Sequence, residues 1–188
     1  TVRGRPNAHV VQASILELPF KAGVFDLCFS IGVLQHTPDA QQAATALPRV
    51  VRSGGQLAVT VYERKPWTLL NGKYLIRPLT KRLNLRFLLV LVKIAVTLLF
   101  PFTEVLFRIP IIGRIFAFVI PVCDYSTIKN LNLLQRYQNI ILDTFDMLSP
   151  AYDRPMTQTE LKQALVQSGV QHVRRLPSSG LNLIGEKA

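Results

Sequence analysis

The stretch VFDLCFSIGVLQHTPDAQQAATALPRVVRSGGQLAVTVY, residues 24–62, carries the order of signals that decides the fold. It opens on VFDLCFS (24–30), rich in the branched and aromatic side chains that suit a pleated, half-buried strand. Asp39 stands where an N-cap belongs, ahead of a helix beginning near Ala40. Gln42, three residues on, offers the second half of a capping box. Pro48 has no N–H to give to a helix interior and is expected to kink or shorten that helix. Gly54 and Gly55 are expected to end it, and QLAVTVY (56–62) reads as the next strand. Strand, turn, helix, turn, strand implies a parallel pair with a right-handed crossover.

Working outward, AHVVQA (8–13) is a short apolar run suited to a buried strand, followed by a turn at Leu18-Pro19-Phe20 and Gly23. Near the other end, Thr157 and Glu160 form a capping box ahead of Leu161, Ala164 and Leu165, which share one helical face. Gly169 sits where a C-cap glycine belongs. Residues 170–176 then read as a strand, PSSG (177–180) as a turn, and 181–186 as a final strand. The fold class expected is α/β: a mostly parallel sheet finished by an antiparallel C-terminal hairpin.

Composition narrows the functional classes. A chain of 188 residues suits one domain, and 49% hydrophobic with 18% charged residues excludes a disordered one. Two cysteines exclude a disulfide scaffold and a four-cysteine zinc site, and they fit a reducing compartment. There are 22 Lys and Arg against 11 Asp and Glu, a net of +11. Nine of those excess charges fall in residues 63–142, while 1–62 carries +2 and 143–188 balances. The chain is therefore divided into 1–63, part of an α/β sheet; 64–142, a basic, apolar helical insertion; and 143–188, the return to the sheet. Neither a helix-turn-helix nor a basic-and-aromatic face is evident, so no nucleic acid is expected as a partner.

The insertion has two halves. Residues 64–86 hold seven basic side chains and no acid. Apolar runs follow at 87–102 and 109–122, with Pro101 expected to close the first. Arg86, Lys93, Thr97 and Glu104 recur so as to draw one narrow polar stripe along a helix. Three readings stand side by side: a lid over an acceptor pocket, a segment lying in a membrane interface behind its polybasic run, and a membrane span.

The set Leu18-Pro19-Phe20, Phe25-Asp26-Leu27, Ser30-Ile31-Gly32-Val33-Leu34-Gln35-His36-Thr37-Pro38-Asp39 and Arg49-Val50-Val51-Arg52-Ser53-Gly54-Gly55-Gln56-Leu57 resembles class I S-adenosylmethionine-dependent methyltransferases of the type 11 group. The resemblance covers roughly residues 8–63, and 157–187 fits that family's last helix and hairpin. It implies a Rossmann-like sheet of strand order 3-2-1-4-5-7-6, a methyl-transfer activity and S-adenosylmethionine as cofactor. It also implies a glycine-rich loop and an acidic ribose ligand ahead of residue 8. This sequence has neither, so the chain reads as an N-terminally truncated piece of a longer enzyme, inactive alone.

The resemblance gives residues their roles. Ser14 stands where the family usually has an Asp that accepts from the adenine amino group, and Ile15 and Leu16 would pack on the ring. Ser30, Ile31 and Gly32 would meet the methionyl part, Gly32 by close backbone approach or simply as a turn glycine. His36 would be a wall of the cofactor pocket or a proton acceptor for a substrate hydroxyl, against a plain helix-entry role beside Pro38. The family shares no catalytic residue, because methyl transfer from a sulfonium needs mainly alignment and desolvation, so none is assigned here and His36 stands only as a candidate. Tyr62, Trp67, Asp146, Tyr152 and Asp153 are the candidate acceptor residues. Asp143 and Asp146 share a helical face without a nearby His, so no metal is expected. The acceptor expected is a hydrophobic small molecule or lipid-like compound, in the cytoplasm or peripheral to an anionic membrane surface. The alternative is a non-catalytic membrane-associated or scaffold protein that retains part of the fold.

Overall fold

Asp39 acts as the N-cap its position suggests: its carboxylate accepts from the Gln42 N–H at 2.8 Å. The computed structural model describes residues 6–177 and 180–188, so two residues of the expected 177–180 turn, Ser178 and Ser179, lie outside the described residues. By contact the chain divides into two compact units, one running up to Arg64 and resuming at Tyr152–Ala188, the other Lys65–Ala151.

The first unit is the α/β one. Strand β1 (Phe25–Ile31) leads through a 3₁₀ turn to helix α1 (Ala40–Val50) and strand β2 (Val51–Val61). β1 and β2 pair in parallel, as the βαβ reading requires. Pro48 does not shorten α1: it lies inside the helix, buried, and the helix runs on to Val50. Gly54 and Gly55 do not end it either, because β2 has already begun. The register jumps from Phe25↔Val51 to Leu27↔Gln56, so Arg52–Gly55 bulges out of the ladder. Gly54 takes φ +73°, and a Cβ on Gly55 would stand 2.7 Å from Val51 Cγ1 and 2.9 Å from Asp26 O.

Near the C-terminus Thr157 and Glu160 form both halves of the capping box at the head of helix α6 (Gln158–Gln167). Gly169 follows with φ +81°, and strands β3 (Val170–Arg175) and β4 (Leu181–Lys187) pair antiparallel. β4 also pairs antiparallel with β2, giving the order β1-β2-β4-β3. That is the 4-5-7-6 half of the order implied by the resemblance.

Leu57, Val59, Leu181 and Leu183 pack under α1 and α6 with Leu34, Leu161 and Leu165. Leu27, Phe29 and Ile31, on the opposite face of β1, are 54%, 66% and 68% exposed. Residues 8–13 form no strand. No described strand offers them a ladder, so Val10 and Val11 stay exposed, and the segment shows only an isolated bridge from Ser14 to Glu17.

The second unit is helical: α2 (Gly72–Thr80), α3 (Leu85–Leu106), α4 (Ile112–Val119) and α5 (Leu133–Leu148). Pro101 does not close α3, which passes through it for 22 residues. Leu88, Val92 and Val96 line one edge of that helix and pack with Ile140, Ile141 and Leu148. α5 runs unbroken across residue 142, so Asp143 and Asp146 belong to this unit. Arg77, one of the seven cations of 64–86, is buried. Its guanidinium donates to the carbonyls of Met147 and Pro150, both at 2.8 Å, satisfying the C-terminal end of α5.

Candidate functional site

In an open α/β sheet ligands meet the protein outside the carboxyl ends of the parallel strands. Here those ends are Ile31 of β1 and Val61 of β2, where the chain turns at Gly32. Its N–H donates to Thr60 O at 3.0 Å and its φ is +68°, a conformation most side chains resist. A Cβ there would come only to 3.6 Å from Gln35 Nε2. The turn, rather than crowding, is what asks for glycine.

The 3₁₀ turn Leu34–His36 that follows puts three side chains beside the strand ends. Leu34 joins the core, and Gln35 is fully buried. His36 Nδ1 lies 3.1 Å from Tyr152 O. A carbonyl only accepts, so Nδ1 is the donor, and in that neutral tautomer Nε2 keeps its lone pair. The imidazole meets the Tyr62 ring edge-on, with centroids 5.5 Å apart. The returning segment is laced to the same place: Arg154 N donates to Gln35 O at 2.8 Å, Met156 N to Tyr62 O at 3.0 Å, and Arg64 N to Met156 O at 2.9 Å. The Arg154 guanidinium lies over the Tyr152 ring.

Four buried polar atoms here have no hydrogen-bond partner among the described residues: His36 Nε2, Ser30 Oγ, and both amide atoms of Gln35. Buried polar groups are normally satisfied, so a set of them at the strand ends marks a candidate binding site. Beside it, along β1, a cavity of about 550 Å³ is lined by Ile15, Phe25, Phe29, Ser30 and Ile31 among others, none of them acidic. Cys28 lines it too, and burial pushes its thiol up, away from the thiolate form that reacts.

The structure thus brings Ile15, Ser30 and Ile31 to one cavity, and Gly32, His36, Tyr62 and Tyr152 to the strand ends. Asp153 follows Tyr152 on the same return segment. Leu16 packs on the core with Ile15. Ser14 is committed to its own turn: its hydroxyl accepts from Leu16 N at 3.2 Å and its carbonyl from Glu17 N at 3.1 Å. Trp67 and Asp146 belong to the helical unit. The Trp67 ring carries Lys65 Nζ 5.9 Å from its centroid, and Asp146 is exposed on α5. Sequence reasoning missed Gln35. The available signal was an amide between Leu34 and His36, where α1 is about to start and an amide has no local use.

The chemistry here would suit S-adenosylmethionine only in part: Ile15 would offer an apolar wall to the adenine, and Ser30 and Ile31, with Gln35 beside them, would meet the methionyl end. A group for the ribose hydroxyls is not among the cavity's lining.

Comparison with known proteins bears on the same segment. Residues 2–59 match the family model described as a methyltransferase domain. A stretch of 51 residues is 39% identical to the sarcosine/dimethylglycine N-methyltransferase of Halorhodospira halochloris, covering 27% of this chain and 18% of that enzyme. Among solved structures, a Bordetella parapertussis protein described as a possible exported protein aligns over 93% of this chain and 42% of its own, at 12% identity and a TM-score of 0.46. A Thermotoga maritima methyltransferase described as a possible histamine N-methyltransferase aligns over 96% and 64%, at 13% identity and a TM-score of 0.42. The chain spans less than a fifth of the curated relative and under two thirds of these two structures. Residues 2–59, which run through β1 and α1 into β2, are thus similar to the methyltransferase-domain family, in line with the resemblance to the class I enzymes whose methyl donor is S-adenosylmethionine.

Proposed function

We propose that this protein transfers a methyl group from S-adenosylmethionine to a hydrophobic, small-molecule or lipid-like acceptor, working in the cytoplasm at or near a membrane. The observation that carries the reading is the set of unpartnered buried polar atoms of Ser30, Gln35 and His36 at the carboxyl ends of β1 and β2. The donor supplies an electrophilic methyl on a sulfonium. The chain's own part is to hold the nucleophile in line, keep water away and take up a proton. His36 is placed for that last task, because its Nδ1–H is held by Tyr152 O and its lone pair at Nε2 is left for an acceptor hydroxyl or amine. Tyr62 and Tyr152 border the imidazole, and Asp153 lies next to them in sequence. The apolar character of the acceptor is inferred from the apolar helical unit.

The test uses the full encoded polypeptide with labelled donor and a total lipid extract as acceptor pool. Label entering the organic phase is expected. His36→Gln is expected to lower kcat and remove the limb of the pH profile that reports a basic group, with donor binding kept. Label confined to water-soluble products overturns the apolar acceptor. If that polypeptide fails to bind the donor, the non-catalytic membrane-associated or scaffold reading takes its place. The 188 residues alone have no glycine-rich run ahead of β1 and are expected to bind the donor more weakly than micromolar. Calorimetry showing micromolar binding would refute that part.

A further inference from the structure

We propose that the outward face of α3 docks on an anionic lipid bilayer, lying in its headgroup boundary without crossing it. This deepens, and rests on, the membrane location proposed above; it concerns the helical unit alone. Phe87, Val90, Leu91, Ile94, Leu98, Phe102 and Val105 are all 40% or more exposed, and they recur every three or four residues. They fall on the side of α3 opposite Leu88, Val92 and Val96, the edge packed against α5. No polar side chain interrupts the face over ~27 Å of helix, taking 1.5 Å per residue. α4 adds Ile112, Ile115 and Val119, and its N-cap Ile111 joins them, each at least half exposed.

Charge says what covers this face. The unit Lys65–Ala151 holds eleven Lys and Arg against four Asp and Glu. Glu104 is taken by Arg108 and Arg136, and Asp143 accepts from the Tyr125 hydroxyl. Lys81, Arg82, Arg86, Lys93 and Arg114 are exposed and form no ion pair among the described residues. A second copy of the chain would set cations against cations. A surface with an apolar layer beneath a layer of negative charge meets both features at once.

Depth follows from the neighbours. Arg86, Lys93, Thr97 and Glu104 run along one flank of α3, between its packed edge and its apolar face, and Thr97 bonds the Tyr137 hydroxyl of α5 at 2.8 Å. A spanning α3 would draw α5 with Arg136, Asp143 and Asp146 into hydrocarbon, which charged groups resist strongly. Lying flat, α3 keeps its flank at the headgroups.

The experiment is vesicle flotation of the full chain, with neutral phosphatidylcholine vesicles and with vesicles containing phosphatidylglycerol. Flotation with the anionic vesicles only is expected. The triple variant Lys81→Gln, Arg82→Gln, Arg86→Gln is expected to bind at least about tenfold more weakly, given the usual gain per surface cation. Ile94→Asp with Leu98→Asp is expected to abolish flotation while the helical circular dichroism stays unchanged. Equal flotation with neutral vesicles overturns the anionic surface and leaves the membrane location standing. No flotation with either removes both, whatever methyl transfer shows. Protein that resists alkaline extraction is spanning, against the depth proposed. An oligomer that the Asp pair dissolves, without flotation of the parent, assigns the face to a second copy.

Discussion

At the scale of single residues, burial decides which groups remain reactive. Cys123 is pushed up to about 11, first by burial, with only partial relief from its hydrogen bond to Thr144. Its alkylation by iodoacetamide is therefore expected to be slow at neutral pH and to accelerate until roughly that pH; fast labelling at pH 7 would contradict the packing. Tyr125, nearby in sequence, is raised to about 12, chiefly because its hydroxyl donates to the Asp143 carboxylate. A group raised in the folded state adds stability below its unfolded value of 10.0 and loses it as pH climbs through the folded one. Unfolding free energy from urea titrations is thus expected to fall between pH 10 and 12, and Tyr125→Phe to flatten that fall. Near the strand ends, residues fixed by a backbone need were readable from sequence: Gly32 by its turn and, at the head of α1, Asp39 by its cap. Gln35 was missed: the bond that fixes its backbone carbonyl comes from Arg154 N, more than a hundred residues later in the chain.

At the scale of elements, the two faces of β1 and β2 have opposite energetics. Leu57 is fully buried under the helices, while Phe29, on the neighbouring strand and the other face, is 66% exposed. Leu57→Ala is expected to cost about 2–5 kcal/mol, for a cavity in a core that cannot close up. Phe29→Lys is expected to stay within about 0.5 kcal/mol of the parent, as exposed positions do. Denaturant midpoints for the pair check both; a large loss at Phe29 would mean that face is covered. The N-termini of α1 and α6 were legible, because the cap side chains Asp39 and Thr157 lie within four residues of the backbone they bond, while the caps Asn71, Asn84 and Asn132 of the helical unit went unread. Ends set by tertiary contact were not legible. α1 stops at Val50 because β2 pairs from Val51, which no property of Gly54 and Gly55 announces. Residues 8–13 have strand-like side chains yet form no strand, since a ladder needs a neighbour and none is described. Pro101 removes one helical N–H, and the other bonds of a 22-residue helix with a packed edge carry α3 past it.

At the scale of the whole molecule, charge and apolar surface oppose each other. Leu27, Phe29 and Ile31 of the α/β unit are uncovered, and so is the outer face of α3 in the helical unit. Either patch alone is the kind of surface that draws copies together. Opposing that is a net charge of +11, seven of it in the helical unit. Repulsion of this kind reaches ~30 Å at 0.01 M salt and ~10 Å at 0.1 M, whereas the attraction between apolar patches does not weaken with salt. The chain in lipid-free buffer at pH 7 is therefore expected to be monodisperse at low salt and to grow in hydrodynamic size as salt rises. The same growth is expected at low salt as pH approaches the isoelectric value of about 10.2. Dynamic light scattering across both series separates the two contributions. Ile94→Asp and Phe29→Lys each remove apolar area from a different unit, so whichever suppresses the growth names the patch responsible. A size that ignores both salt and pH would show that neither face is open in solution.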